Sequence, residues 1–319
     1  MSIRDEFQHQ RLRAKWKVMD GLIAAKNRLP LDTSSVADRF GYVLIAPSIL
    51  LVSFLAVGMV MLAWYSVLTY DTIEIFVYEL TLDNWMRLVE TGAFHTVFFR
   101  TLLYSALVTV GSVGLAVPYA YLVVRTRRPV FRYVLLFGLF VPFFTGVIIR
   151  AYGWLIVLGK NGLLNWGLNA LGIETVSIIG TPAAIVVGLL QYLMPFAVLM
   201  LTPAIASIDS DLERAAQNCG ANNWETFRHV VLPLSRPGIT AATIVVFTLS
   251  MANYAIPNLL GGGTNSFVAN FIYSKVFDMM NYPFAAVLCI ILVLVASVFV
   301  FAVFKLYGTG TLGVEAGEQ

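Results

Sequence analysis

The chain has 319 residues, of which 59% are hydrophobic and only 12% charged, with a net charge of +3 and a mean hydropathy of +0.79. Soluble domains carry roughly twice that charged fraction, which excludes a cytosolic enzyme, a secreted disulfide scaffold and a disordered chain. What remains is an integral membrane protein.

Residues 1–40 are a polar extension carrying eight Lys/Arg. Phe7, Leu12, Trp16, Met19, Leu22 and Ile23 recur at helical spacing between Arg11, Arg13, Lys15, Lys17 and Lys26. That pattern fits either a basic helix lying on the anionic inner leaflet or a solvated basic tail. No short charged n-region followed by an apolar core opens the chain, so no cleaved signal peptide is expected.

Beyond residue 40 the charges fall in clumps. No Asp, Glu, Lys or Arg occurs between Arg39 and Asp71, Arg100 and Arg125, Arg132 and Arg150, Glu174 and Asp209, Arg236 and Lys275, or Asp278 and Lys305. About 20 apolar residues cross the hydrocarbon as a helix. The gaps therefore predict six transmembrane helices near 42–69, 99–124, 131–150, 179–205, 237–260 and 284–306. The runs are continuous rather than alternating, so helices are favoured over a β-barrel. The fold class is all-α, with six spans.

Between spans one and two, the acidic segment 71–98 contains Leu82, Trp85, Met86 and Val89, which predict one short amphipathic helix opening at Thr81. The basic segment 125–132 is short, so spans two and three form a tight hairpin. Segment 150–178, with Trp154, Leu155, Leu158, Leu163, Leu164 and Trp166, is expected to lie at the membrane interface. Sixteen of the 21 Lys/Arg fall in 1–40, 125–132, 206–237 and at Lys305, against Arg87, Arg100, Arg150, Lys160 and Lys275 on the other side. This asymmetry places both termini and segment 206–237 in the cytoplasm.

Cys219 falls in a cytoplasmic segment and Cys289 inside the last span, so a disulfide is not expected. His9, His95 and His229 are scattered, and no metal site is expected.

Segment 206–237 is longer than a connector needs, and it is patterned. Asp209 or Ser210 caps a helix over Asp211–Asn218, which Gly220 stops in a left-handed conformation. Asn222 caps a second helix, with Glu225 as its reciprocal partner three residues later. That helix runs to Leu232 and meets Pro233. A folded helical hairpin on the cytoplasmic face is a docking surface, and Ala215 and Ala216 permit close approach.

Here the sequence resembles the permease subunits of binding-protein-dependent type I ABC importers. These carry E-A-A-x3-G-x9-I-x-L-P in their last long cytoplasmic loop. This chain has Arg214-Ala215-Ala216, three residues, Gly220, nine residues, and Val230-Val231-Leu232-Pro233. It departs at Arg214, where the family most often has Glu, although Glu213 lies immediately before. Arg150-Ala151-Tyr152-Gly153-Trp154, Asn161-Gly162-Leu163-Leu164-Asn165, Pro257-Asn258-Leu259-Leu260-Gly261-Gly262 and Asn281-Tyr282-Pro283-Phe284 resemble the spermidine/putrescine branch. That branch commonly has an acidic residue where this chain has Asn253. A polycation would favour a carboxylate there, so the solute field widens from polyamines to opine-like and other amine-bearing compounds. Tyr254 remains as an aromatic cation partner.

The resemblance implies a permease domain over 41–307, with a cytoplasmic coupling hairpin at 207–236 and a cytoplasmic tail at 308–319, in a bacterial inner membrane. Implied partners are an ATP-binding cassette ATPase dimer, a second, distinct permease, an extracytoplasmic binding protein and lipid, with no nucleic acid. No Gly-rich Lys-Ser/Thr phosphate loop occurs, so this chain is not expected to hydrolyse ATP; ATP and Mg would bind the partner. The implied ATPase-coupling residues are Glu213, Arg214, Ala215, Ala216, Gly220, Ala221, Trp224, Thr226, Phe227, Leu232 and Pro233. Glu213 and Arg214 pair with each other, with neighbouring groups of the chain, or with the partner.

Polar groups inside apolar helices are either functional or helix–helix glue. The candidates for the translocation path are Tyr104, Gln191, Tyr192, Asn253 and Tyr254, with Ser105, Thr145 and Thr248 more in character as glue. Arg150 and Trp154 are candidates for contact with the binding protein, although interfacial anchoring serves Arg150 as well. The alternatives are an importer for another solute (an opine, amino-acid derivative, sugar or anion), a channel, or a secondary transporter. A secondary transporter would carry intramembrane charges for ion coupling. A channel would leave the hairpin without a role.

Overall fold

The computed structural model describes residues 33–71 and 77–307. The amphipathic stretch of the N-terminal extension, Glu74 and the C-terminal tail lie outside them. The chain divides into two units, residues 1–60 and 61–319. In the first unit, helix α1 (Thr33–Ser66) begins; its last turns belong to the second unit. Residues 45–60 of α1 are exposed throughout, as a helix facing lipid or another subunit would be.

The second unit continues with a two-stranded antiparallel ribbon, β1 (Leu68–Thr69) and β2 (Val77–Leu80), pairing Leu68 with Leu80. The buried Asn84 side chain donates to the Ser66 and Leu68 carbonyls, tying the ribbon to α2 (Asp83–Glu90). That short helix is the one expected near Thr81, whose hydroxyl accepts the Asp83 amide. The ribbon was not legible, because two residues opposite four leave no alternation to count.

Three long helices make the core: α3 (Gly92–Arg125), α7 (Pro182–Ala206) and α10 (Arg236–Met251). Val108, Ala116 and Ala120 of α3, Leu189, Leu193 and Leu201 of α7, and Ala242 and Val246 of α10 are buried in one cluster. Glycine and alanine let these backbones approach, since lipid-facing helices gain their affinity from close packing rather than from water expulsion. At Gly238 of α10 a Cβ would lie 2.5 Å from Ala204 Cβ of α7. A second cluster joins Leu88 and Phe94 to Phe284, Val287 and Leu288 of the last helix, α13 (Tyr282–Tyr307).

Among the described residues, five helices are long and apolar enough to cross a membrane, and a sixth counts when Asn223–Leu234 and Arg236–Met251, bent by 69°, are taken as one span. The six expected spans correspond to these elements with two differences. The stretch near 131–150 is not one helix: α4 (Pro129–Phe144) ends, and α5 (Val147–Leu158) follows with Gly146 at its N-cap. Together with α6 (Leu163–Ala170), α5 forms an apolar run, Val147–Ala170, long enough to cross. The expectation of an interfacial segment from 150 onward followed from treating Arg150 as the end of a span; the charge instead lies in the first turn of a new helix, α5. The stretch near 237–260 is also divided. α10 stops at Met251, and α11 (Ala255–Leu260) starts after a turn in which the Asn253 side chain accepts the Ile256 amide. Pro257 lacks an N–H and would clash with the carbonyl of residue 253 in a continuous helix. Segment 261–281 then folds as α12 (Val268–Tyr273), prolonged by a π-helical turn, Ser274–Asp278.

Candidate functional site: the hairpin between α7 and α10

The hairpin contains α8 (Ser210–Asn218) and α9, which runs Asn223–Leu234 with a π-helical stretch at Phe227–Val231. Asp209 caps α8 by accepting the Asp211 amide at 2.9 Å. At the other end the Ala221 amide reaches the Ala216 carbonyl and the Gly220 amide the Gln217 carbonyl. This pair of bonds is a Schellman closure, which requires a left-handed residue at its centre. Gly220 supplies it at φ +94°.

Asn222 then accepts the Glu225 amide while Glu225 accepts the Asn222 amide, both at 2.8 Å. The reciprocal cap expected from the spacing is therefore formed. Gln217 donates to the Asn223 side chain at 3.1 Å and so ties the two helices together. α9 reaches Leu234, two residues beyond the expected end, because Pro233 sits near the start of a new turn where its missing N–H costs little. The chain then bends by 69° into α10.

The hairpin has two chemically distinct faces. Outward lie Arg214, Ala215 and Gly220, with Trp224 67% exposed and stacked on Phe227 at 5.7 Å. Ala216, Gly220, Ala221, Glu225 and Thr226 line a cleft of about 410 Å³. Inward lie Thr226 and Glu213, the latter only 8% exposed. Leu232 and Pro233 close the second helix, with Leu232 partly exposed.

Of the three pairings open to Glu213 and Arg214, the pair with each other is not formed. Successive helical residues point about 100° apart, so the two side chains leave on different faces. Arg214 meets Asp211 at 2.8 Å on the surface. Glu213 turns inward to Arg125, with Nε 2.6 Å from Oε1, and accepts the Tyr121 hydroxyl at 2.8 Å. Arg125 and Tyr121 were not singled out from sequence. Arg125 counted only as a basic residue of the short inner loop, and nothing in spacing alone links it to a residue 88 positions later.

The candidate path residues gather in two places. In the first, Arg150 lies with Cζ 4.7 Å from the Tyr192 ring centroid and donates to the Thr145 carbonyl at 3.1 Å and that of Phe143 at 3.4 Å. Trp154 Nε1 stands 3.5 Å from Gln191 Oε1, at the long limit of a hydrogen bond. The two proposed binding-protein contacts, Arg150 and Trp154, thus sit against the two path candidates of α7. In the second, Tyr104 packs near Phe267, and Asn270 links the Phe267 amide to the Tyr254 carbonyl. Tyr254 stacks on Tyr273 at 4.6 Å. The Asn253 side chain is engaged by the Ile256 amide at the start of α11, one residue before its N-cap Tyr254. Ser105 is buried, and the Thr145 and Thr248 hydroxyls bond carbonyls of their own helices instead of a neighbouring helix.

A bundle of apolar helices carrying an exposed, doubly capped hairpin defines a membrane component of a transporter. The sequence profile of the family described as "binding-protein-dependent transport system inner membrane component" matches residues 91–307, and the chain belongs to that family. It is 31% identical over 257 residues to the spermidine/putrescine transport system permease protein PotB of Haemophilus influenzae, covering 80% of this chain and 89% of that one. It is 34% identical over 247 residues to PotB of Escherichia coli K12, covering 77% and 89%. The inner membrane ABC transporter permease protein YdcU of Escherichia coli K12 is 30% identical over 252 residues, covering 75% and 80%.

Among solved structures, a chain of a bacterial alginate ABC transporter superposes with a TM-score of 0.74 at 19% identity, covering 88% of this chain and 98% of that one. A chain of the MetNI methionine ABC transporter superposes with a TM-score of 0.52 at 17% identity, covering 68% and 97%. The fold is that of a type I ABC importer permease, as the motif in the loop implied.

Proposed function

We propose that this chain is one of two permease subunits of an ATP-driven importer in the bacterial inner membrane, with both termini cytoplasmic. It receives its solute from an extracytoplasmic binding protein and docks an ATPase dimer through the hairpin 207–236. The observation that carries this reading is the rigid construction of an exposed hairpin: capped at both helix starts, closed at Gly220, and continuous with the core helices α7 and α10. Such an element transmits a displacement instead of absorbing it. The partner ATPase supplies the energy, binding ATP and Mg, since this chain has no phosphate-binding loop of its own.

The solute is a polyamine or a related amine-bearing compound. The PotB relatives support this, and Tyr254 stacked on Tyr273 offers an aromatic face that attracts cations, whereas the Tyr192 ring already carries Arg150. Asn253 and the guanidinium of Arg150 favour a second reading, in which the amine-bearing solute also carries a carboxylate. Reconstitution with the cognate ATPase, second permease and binding protein tests both. ATP-dependent uptake of putrescine or spermidine is the expected result. Uptake of an opine such as octopine but of neither polyamine would establish the second reading. Failure of the ATPase to co-purify with this chain would end the importer reading.

A further inference from the structure

We infer that Arg125 and Tyr121, at the cytoplasmic end of α3, are the positioning residues that make α3 move with the hairpin. This rests on the reading of the hairpin as the ATPase-docking element. The hairpin is joined covalently to α7 through Ser207 and to α10 through Ser235. α3 is the third helix of the core and has no covalent connection to it. Any displacement delivered to α3 at the cytoplasmic surface must cross side-chain contacts.

Those contacts are concentrated in two residues of one turn. Arg125 Nη2 donates to the Ile208 carbonyl at 2.7 Å, immediately before the Asp209 cap where the hairpin begins. Its Nε pairs with Glu213 in the first hairpin helix, and the Tyr121 hydroxyl completes the same carboxylate. The Tyr121 ring meets Phe227 of the second hairpin helix edge-on at 5.2 Å. α3 therefore holds the entry, the first helix and the second helix of the hairpin at once. A carboxylate as buried as Glu213 is held in place by its partners, because separating them leaves an uncompensated charge. The joint is therefore stiff, and the bonds from Arg125 Nη2 to the Ile208 carbonyl and from Tyr121 to Glu213 make it directional.

A stabilising contact would serve folding alone; a transmitting one is required for transport per ATP. The test uses the assembled transporter with its cognate ATPase, second permease and binding protein, in liposomes. Arg125→Gln is expected to lower putrescine uptake per ATP hydrolysed by about tenfold, a usual size for coupling between sites. Arg125→Lys, which keeps the charge but has no fork to reach both Glu213 and Ile208, is expected to fall between. The exchange Arg125→Glu with Glu213→Arg restores the ion pair but neither the bond to Ile208 nor that from Tyr121, and is expected to recover only part of the ratio.

A second measurement needs no solute. Spin labels at Leu115→Cys on α3 and Leu212→Cys on α8, with Cys219 and Cys289 replaced by Ser, report the separation of the two elements. The separation is expected to be the same in nucleotide-free and vanadate-trapped complexes, and to shift or broaden on trapping once Arg125→Gln is added. A separation that changes on trapping without that substitution overturns the inference. So does an Arg125→Gln transporter with unchanged separation and unchanged uptake per ATP. So too does a set of variants, the exchange included, that never assembles, since the pair then serves assembly alone. Failure of the docking reading itself looks different: the ATPase would be lost from the unsubstituted chain.

Discussion

The guanidinium of Arg150 lies over the ring of Tyr192 at 4.7 Å while holding the carbonyls of Phe143 and Thr145. One side chain thus caps the end of α4, stabilises the start of α5 and fixes both against α7. The last carbonyls of a helix carry partial negative charge, so a cation placed there at the break is electrostatically favoured. This is how an arginine sits within an apolar run without a carboxylate beside it. It also makes the break at Thr145–Gly146 a defined joint.

The face of the ring, not its hydroxyl, carries that contact. Tyr192→Phe is therefore expected to leave transport and thermal stability of the purified complex close to those of the parent. Tyr192→Leu is expected to remove about 1 kcal/mol or more, seen as a lowered melting temperature. Arg150→Lys is expected to resemble Tyr192→Leu, because a point ammonium lacks the planar fork that serves two carbonyls and a ring together. A melting temperature equal to the parent's in Arg150→Lys would show that the joint does not depend on that geometry.

Gly220 separates conformation from docking. A Cβ there would touch nothing within 4 Å, yet the backbone is at φ +94°. Gly220→Ala is expected to cost about 1–2 kcal/mol from the left-handed conformation alone, read as faster hydrogen exchange across Ala215–Glu225. Gly220→Asp adds a charge on the exposed turn. It is expected to abolish uptake and binding-protein-stimulated ATP hydrolysis together, in a complex that still folds. If both activities survive, the turn does not meet the ATPase.

The crossing of α7 and α10 depends on the small residue at 238. A Cβ at that position would lie 2.5 Å from Ala204 Cβ and 3.3 Å from Leu201 Cα, with backbone among the obstacles. Gly238→Val is expected to destabilise the chain by about 1–3 kcal/mol through overpacking. Gly114→Val, where nothing lies within 4 Å, is the control and is expected to cost much less. Comparing the melting temperatures of the two variants in detergent decides the point.

Local chemistry determined much of this protein without help from the fold. The charge-free gaps require apolar helices because backbone groups in lipid must satisfy themselves. Asp209, Gly220 and the Asn222–Glu225 pair shape the hairpin because caps act within four residues, and a sequence displays that range directly. The family resemblance rests on the same short stretch.

What lay beyond this range came from the tertiary structure alone. Whether Arg150 ends a span or is carried within a helix depends on Tyr192, 42 positions away. Whether Glu213 faces its neighbour Arg214, the ATPase or the core depends on where the last turn of α3 comes to rest. Hydropathy reports the cost of placing a charge in lipid; it does not reveal the partner that offsets it. For Arg150 and Glu213 that partner comes from a different helix, and only the packing of the helices brings it within reach.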